Sequence, residues 1–152
     1  MAADSDLRAR AIIVHGLAHV RAALAAGAER GCAVTLMSAP NAASYAGVGW
    51  FAALLREAAA EFRAATYTAI LDCGDRADLV QAALREGLKD IAFRGPHRIA
   101  ARLVDIAGQR HARLHRRLPP ALDLLDHPEP LAACRAWLSC HSEDTGAGPT
   151  GG

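Results

Sequence analysis

Short apolar runs alternate with amphipathic segments along most of the chain. The runs cover residues 11–14, 33–37, 68–72 and 90–93, and a weaker one lies around 112–114. Each run is followed by a polar or glycine-containing break and then by apolar residues at the three- and four-residue spacing of a helix. Strands that are continuously apolar are typical of a parallel sheet with both faces covered. The pattern therefore predicts an α/β fold with about five parallel strands.

The two ends of the chain differ from this pattern. Residues 1–10 are polar, and residues 142–152 are rich in glycine and polar side chains. Such segments cannot bury enough apolar surface to offset the entropy of ordering. We therefore expect a polar N-terminal arm, a single β/α domain at residues 11–141 and a disordered tail.

Length, composition and charge narrow the class of protein. The chain has 152 residues, 52% of them hydrophobic, which suits one domain with a packed core. Its formal net charge of +1 provides no general attraction for nucleic acid or an anionic membrane. No apolar run approaches the ~20 residues that span a bilayer, and the N-terminus lacks the apolar segment of a secretory signal. We expect a cytoplasmic protein that binds neither nucleic acid nor membrane.

Residues capable of chemistry follow several of the predicted strands. The carboxyl ends of parallel strands meet at one rim of the sheet, where α/β proteins assemble their sites. The candidate site residues at this rim are His15, Ser38, Asn41, Asp72, Cys73, Arg94 and His97.

These residues support two interpretations. In the functional one, Asp72 is a general acid or base, Cys73 and a histidine bind a divalent metal, and Arg94 holds a phosphate. In the structural one, Asp72 caps the next helix, Cys73 packs as a small hydrophobe and His97 is solvated. The basic segment 109–117 could meet an anionic ligand or RNA, but without aromatic stacking partners a solvated edge is favoured.

Three segments resemble a known family. Residues 14–17 are similar to the first strand and turn of class II, metal-dependent ketose-bisphosphate (fructose-bisphosphate) aldolases, and residues 37–47 resemble their loop with a serine and Tyr-Ala-Gly. The Leu-Asp-Cys-Gly sequence that begins at Leu71 resembles the family's Leu-Asp-His-Gly motif. The resemblance covers about residues 12–114 and implies the N-terminal half of a TIM barrel.

The resemblance implies roles for some residues, and at other positions the chain departs from the family's residues. It implies that Asp72 is the catalytic acid/base and that Cys73 stands at a metal-ligand position that the family fills with histidine. Zinc also accepts thiolate ligands, so zinc is the metal to consider, although no cofactor is the simpler expectation. Arg94 replaces an expected acidic residue, and His15 and Gly16 stand where asparagines are expected. The family's other metal ligands and its phosphate-binding loops come from the second half of the barrel.

Five strands cannot close a barrel, because closure typically takes eight strands and about 250 residues. Two edges and an apolar concave face of Ile, Val, Leu and Met would stay open. We expect either a homodimer that covers them or an open, doubly wound sheet over which the last helix, carrying Trp137, folds. That helix is predicted to be capped by Asp126 and to run through Leu138.

Three functions remain open from the sequence. The first, which we favour, is an aldolase-like half barrel without catalysis that binds a small phosphorylated ligand or a partner at the rim. The second is a metal-dependent lyase whose missing ligands come from oligomerisation. The third is a structural partner subunit of an enzyme.

Overall fold

The computed structural model of the protein describes residues 10–142. The expected N-terminal arm and glycine-rich tail fall almost wholly on residues 1–9 and 143–152, outside the described part. Six strands and six helices fill the described residues. The strands are β1 (Ala11–Ile13), β2 (Val34–Met37), β3 (Tyr67–Asp72), β4 (Asp90–Ala92), β5 (Arg113–His115) and β6 (Ala121–Asp123). The helices are α1 (Leu17–Arg30), α2 (Ala42–Tyr45), α3 (Val48–Glu61), α4 (Ala77–Arg85), α5 (His97–Gln109) and α6 (Pro130–Ser142).

All six strands form one parallel sheet in the order β5-β4-β3-β2-β1-β6. From β1 to β5 each new strand is added beside its predecessor and always in the same direction. Right-handed crossovers in one direction place their helices on one face of the sheet. The α/β class and the parallel sheet are confirmed, and the order of the first five strands is that of a partial β/α barrel.

The connection from β5 to β6 requires the sheet to curl. These strands are the two edges of the sheet, so in a flat sheet they would lie roughly 24 Å apart, at about 4.8 Å per strand. Only residues 116–120 join them, and this segment spans at most about 20–22 Å while it also returns to the opposite end of the sheet. The two edges therefore approach each other, as they do in an incomplete barrel.

The outer face of the curled sheet carries the main core. Ile12, Leu36, Leu71, Ile91 and Phe93 are fully buried there against apolar side chains from the helices. Alternation along each strand directs the intervening residues to the inner face. The helices thus shield the Leu and Val residues of the strands.

The inner face has a smaller apolar cluster. Ala11, Met37, Ile70 and Ala92 are buried together, and Leu118 from the β5–β6 connection packs against them. The expectation of an open concave face of Ile, Val, Leu and Met is therefore wrong, because most of those side chains face the helices, and Met37 and Ile70 on the inner face are buried. The homodimer stays a prediction, without this exposed surface to support it.

The C-terminal elements also differ from expectation. The sheet has six strands rather than about five, because β6 follows the break at Pro119 and Pro120 and pairs with β1. Helix α6 begins at Pro130, later than expected, and packs against α1 on the outer face. The indole N–H of Trp137 donates to the carbonyl of Ala11 over 3.0 Å, so α6 does not cover the inner face.

Among residues 10–142, the structure contains no helix with the length and apolar character needed to cross a membrane.

Candidate functional site at the sheet rim

Five of the predicted site residues form two groups along the C-terminal rim. Ser38, Asn41, Asp72 and Arg94 lie together where β2, β3 and β4 end. His15 lies beyond β1 and contacts a residue of β6 instead. The rim therefore has a β2–β4 side and a β1–β6 side, each built around one hydrogen-bonded pair that contains a carboxylate.

Ser38 supports the β2–β4 side from beneath. Its hydroxyl accepts the backbone N–H of Asp72 at 2.9 Å and donates to the carbonyl of Ala39 at 3.1 Å. Ser38 is buried, and its hydroxyl joins the ends of β2 and β3. It positions Asp72 and is not available to a ligand.

The Asp72 carboxylate is buried and fully engaged. One oxygen accepts the Gly74 N–H at 2.9 Å, and the other accepts an Nη1 hydrogen of Arg94 at 2.5 Å. Only 3% of the Asp72 side chain is exposed, against 41% of the Arg94 side chain. The hydrogen bond from Arg94 to Asp72 raises the pKa of the guanidinium. The pair thus presents a fixed positive charge to solvent while its carboxylate stays inside.

A close approach between two loops helps to shape this side. Gly74 and Asn41 both have positive φ, at 58° and 59°. A Cβ at Gly74 would overlap the Oδ1 atom of Asn41, which is also 3.4 Å from Nη2 of Arg94. Glycine at position 74 therefore lets Asn41 approach the guanidinium.

Cys73 lies on the other face of the sheet from Asp72. The Cys73 side chain is 1% exposed and belongs to the helix-side core. Burial raises the pKa of its thiol to about 12, so the thiol is protonated near neutral pH. Within the described residues no three His, Cys, Asp or Glu side chains are grouped closely enough to hold a metal ion. Because Asp72 and Cys73 face opposite sides of the sheet, they do not together fit a zinc site.

His97 is separate from both groups. It is exposed at the first position of α5, and its side chain makes no hydrogen bond or ion pair with the described residues. The solvated interpretation of His97 matches this placement. Its backbone still belongs to the first turn of a 13-residue helix that starts three residues after Arg94.

The β1–β6 side contains a histidine–aspartate pair. Nε2 of His15 lies 2.6 Å from Oδ1 of Asp123, whose carboxylate also accepts the Leu125 N–H at 3.0 Å. The His15 side chain is 22% exposed and that of Asp123 is 47% exposed. Burial alone would raise the pKa of Asp123, but the Leu125 amide and His15 outweigh it and the pKa is lowered.

A second histidine completes this group. Nδ1 of His19 accepts the backbone N–H of His15 at 3.0 Å, and the two rings meet edge to face with centroids 5.7 Å apart. Burial, followed by the charge of His15, lowers the pKa of His19. Sequence reasoning missed His19 and Asp123. The four-residue spacing of His15 and His19 was a usable signal, but the pairing of β6 with β1 was not visible.

The basic segment 109–117 is used largely within the protein. Arg113 and His115 each lie 2.9 Å from the buried carboxylate of Asp90. The Arg116 guanidinium donates to the carbonyl oxygens of Phe93 and Gly95 at 3.0 and 2.8 Å. These contacts give the cationic side chains structural partners.

The comparisons with known proteins support a fold and no more. No protein-family model matches the sequence, and no curated protein matches it either. One similar solved structure is that of a protein from Coccidioides immitis described as a "putative fructose-1,6-biphosphate aldolase", with 22% identity and a TM-score of 0.54. The match covers 88% of this chain and 54% of that one, so the chain spans about half the length of the protein it resembles.

Proposed function

We propose that the protein binds a small phosphorylated molecule at the C-terminal rim of its sheet, with Arg94 as the principal contact. The observation that carries the proposal is the arrangement of the Asp72–Arg94 pair, in which a buried carboxylate holds a guanidinium that is 41% exposed. A cation fixed in this way loses little side-chain entropy when it binds an anion.

The donors of Arg94 suit a phosphate. A guanidinium has five N–H donors in a planar fork. The described hydrogen bonds of its side chain engage Asp72 and, over a longer distance, Asn41. The remaining donors can meet phosphate oxygens in the charge-assisted geometry that arginine favours.

Helix α5 adds to the attraction for anions. It begins at His97, three residues after Arg94, and its first backbone N–H groups have no partners within the helix. The positive end of the helix dipole favours negative charge within the first turn. Arg94 and this helix terminus follow the same strand, so both belong to the β4 end of the rim.

The distant fold neighbour is consistent with this ligand class. That protein is described as an aldolase of a phosphorylated sugar, fructose 1,6-bisphosphate. A binding role, rather than the metal-dependent lyase reaction, agrees better with the residues present. Cys73 is buried with its thiol protonated, and the Asp72 carboxylate is held by Arg94 and Gly74.

Isothermal titration calorimetry with inorganic phosphate and with glycerol 3-phosphate tests the proposal. The informative variant is the double substitution Asp72→Asn with Arg94→Gln, which removes the cation without leaving a buried carboxylate unpaired. We expect at least a tenfold loss of affinity, or about 1.4 kcal/mol. The matched control is the double substitution Glu29→Gln with Arg135→Gln, which removes an exposed ion pair between α1 and α6 and likewise leaves the net charge unchanged. Equal binding by the double variant and the control contradicts the proposal.

A further inference from the structure

We propose that His15, oriented by Asp123 and assisted by His19, activates a water molecule for the hydrolysis of small carboxylic esters. This activity goes beyond the proposed anion binding and uses the β1–β6 side of the rim. It needs neither Arg94 nor Asp72.

The contact with Asp123 determines which nitrogen of His15 is free. A carboxylate only accepts hydrogen bonds, so Nε2 of His15 must carry the hydrogen in the 2.6 Å contact. In the neutral ring, Nδ1 then keeps its lone pair. None of the described residues bonds to this Nδ1, and the side chain is partly exposed. His15 therefore has a base at Nδ1 and an orienting carboxylate at Nε2.

His19 provides a neutral donor beside this base. Its Nδ1 accepts the His15 backbone N–H, so the hydrogen of the neutral ring is on Nε2. Its lowered pKa keeps the ring neutral near pH 7. An N–H donor placed where negative charge develops is the usual requirement for stabilising a tetrahedral intermediate.

The surroundings favour water as the nucleophile. Ser38 is buried and donates its hydroxyl hydrogen to the carbonyl of Ala39, and Cys73 is buried on the other face of the sheet. Asp123 is about half exposed, so solvent reaches the pair. With Ser38 and Cys73 both buried, a base at this solvated rim acts on water.

The reaction balances with water alone. Nδ1 of His15 takes a proton from water as the water oxygen forms a bond to the ester carbonyl carbon, and the π electrons move to the carbonyl oxygen. The Nε2–H of His19 donates to that oxygen. The intermediate then expels the alcohol oxygen, which takes the proton from His15, and the products are a carboxylic acid and an alcohol.

The test is hydrolysis of 4-nitrophenyl acetate by the full-length protein. We expect His15→Gln to lower the protein-catalysed rate by roughly 10- to 100-fold, the low end of what general bases contribute. We expect the wild-type rate to be lower in D2O, because an O–H bond breaks in the slow step. The control is His111→Asn, an exposed histidine at the other end of the sheet, whose φ of 55° asparagine tolerates.

Asp123 is a positioning residue and needs a separate readout. Nitrogen-15 NMR of the wild-type protein should show His15 protonated at Nε2 and free at Nδ1, and Asp123→Asn should weaken this preference while Asp123→Glu restores it. These spectra also decide the matter if His15→Gln does not fold. The proposal is overturned if Nδ1 carries the proton, if His15→Gln keeps the wild-type rate, or if His111→Asn costs as much. Phosphate binding would be unaffected by that failure, so the two proposals fail separately.

Discussion

Two hydrogen-bonded pairs, each with one carboxylate, occupy the same rim of one sheet, and they differ in the exposure of their members to water. On the β2–β4 side the Asp72 carboxylate is 3% exposed and its arginine partner is 41% exposed. On the β1–β6 side the acid is the more exposed partner, with Asp123 at 47% and His15 at 22%. The buried charge is negative in the first pair, while the second pair has no deeply buried charge.

This difference in exposure suits the Asp72–Arg94 pair to holding a fixed charge and the His15–Asp123 pair to transferring a proton. A buried, hydrogen-bonded carboxylate is costly to unpair, so Asp72 keeps Arg94 in place and does not exchange partners readily. The solvated His15–Asp123 pair is worth little to stability, and it leaves a basic nitrogen open to water. Similar acids in similar positions therefore support different proposals because their burial differs.

The largest expected effect comes from breaking the buried pair. Arg94→Gln leaves the Asp72 carboxylate with only the Gly74 N–H, so the free energy of unfolding should fall by about 3 kcal/mol. Urea denaturation at pH 7 measures this. Adding Asp72→Asn should recover most of the loss, because an amide has no charge to bury. A loss below 1 kcal/mol for Arg94→Gln alone would mean that Asp72 is not deeply buried.

Breaking the pair on the β1–β6 side should lower the free energy of unfolding much less. Asp123→Asn removes the charge of the exposed pair but keeps an oxygen for the Leu125 amide. Because exposed pairs gain little in water, we expect a loss of about 0.5–1 kcal/mol in the same urea experiment. A loss as large as that of Arg94→Gln would contradict the contrast between the two sides of the rim.

The local pattern of apolar and polar residues predicts most of the strands and helices, but it predicts little of how the strands pair. Four strands follow directly from apolar runs, because each run is bounded by breaks and followed by a helical period. Strand β6 is only three residues long, follows Pro119 and Pro120, and is defined by its pairing with β1, more than a hundred positions earlier. Local sequence carries no signal for such a contact, so Asp123 was not recognised as a site residue.

One site prediction could have been improved from the sequence alone. Successive residues of a strand face opposite sides of the sheet, so Asp72 and Cys73 at the end of β3 cannot both face one ligand without a local distortion. The alternation of side chains along the strand was thus already evidence against a single metal site that uses both Asp72 and Cys73. The partner of Asp72 could not be found in this way, because Arg94 is 22 positions away and only the adjacency of β3 and β4 brings them together.

The smallest expected effect is a pH dependence that belongs to the β1–β6 side. The pKa of His19 is lowered in the folded protein by burial and by His15, so below about pH 6.5 the unfolded chain binds a proton that the folded protein does not. Stability therefore falls as pH decreases from 7.5 to 5.5. In His19→Gln the fall should be smaller, because the variant lacks the side chain whose pKa differs between the folded and unfolded states. Asp123 does not contribute to this fall, since its pKa is lowered and its stabilising effect is lost only at more acidic pH. Urea denaturation at pH 7.5 and 5.5 measures the fall in unfolding free energy of the wild type and of His19→Gln. An equal fall in both proteins would show that the pKa of His19 is not lowered in the folded protein.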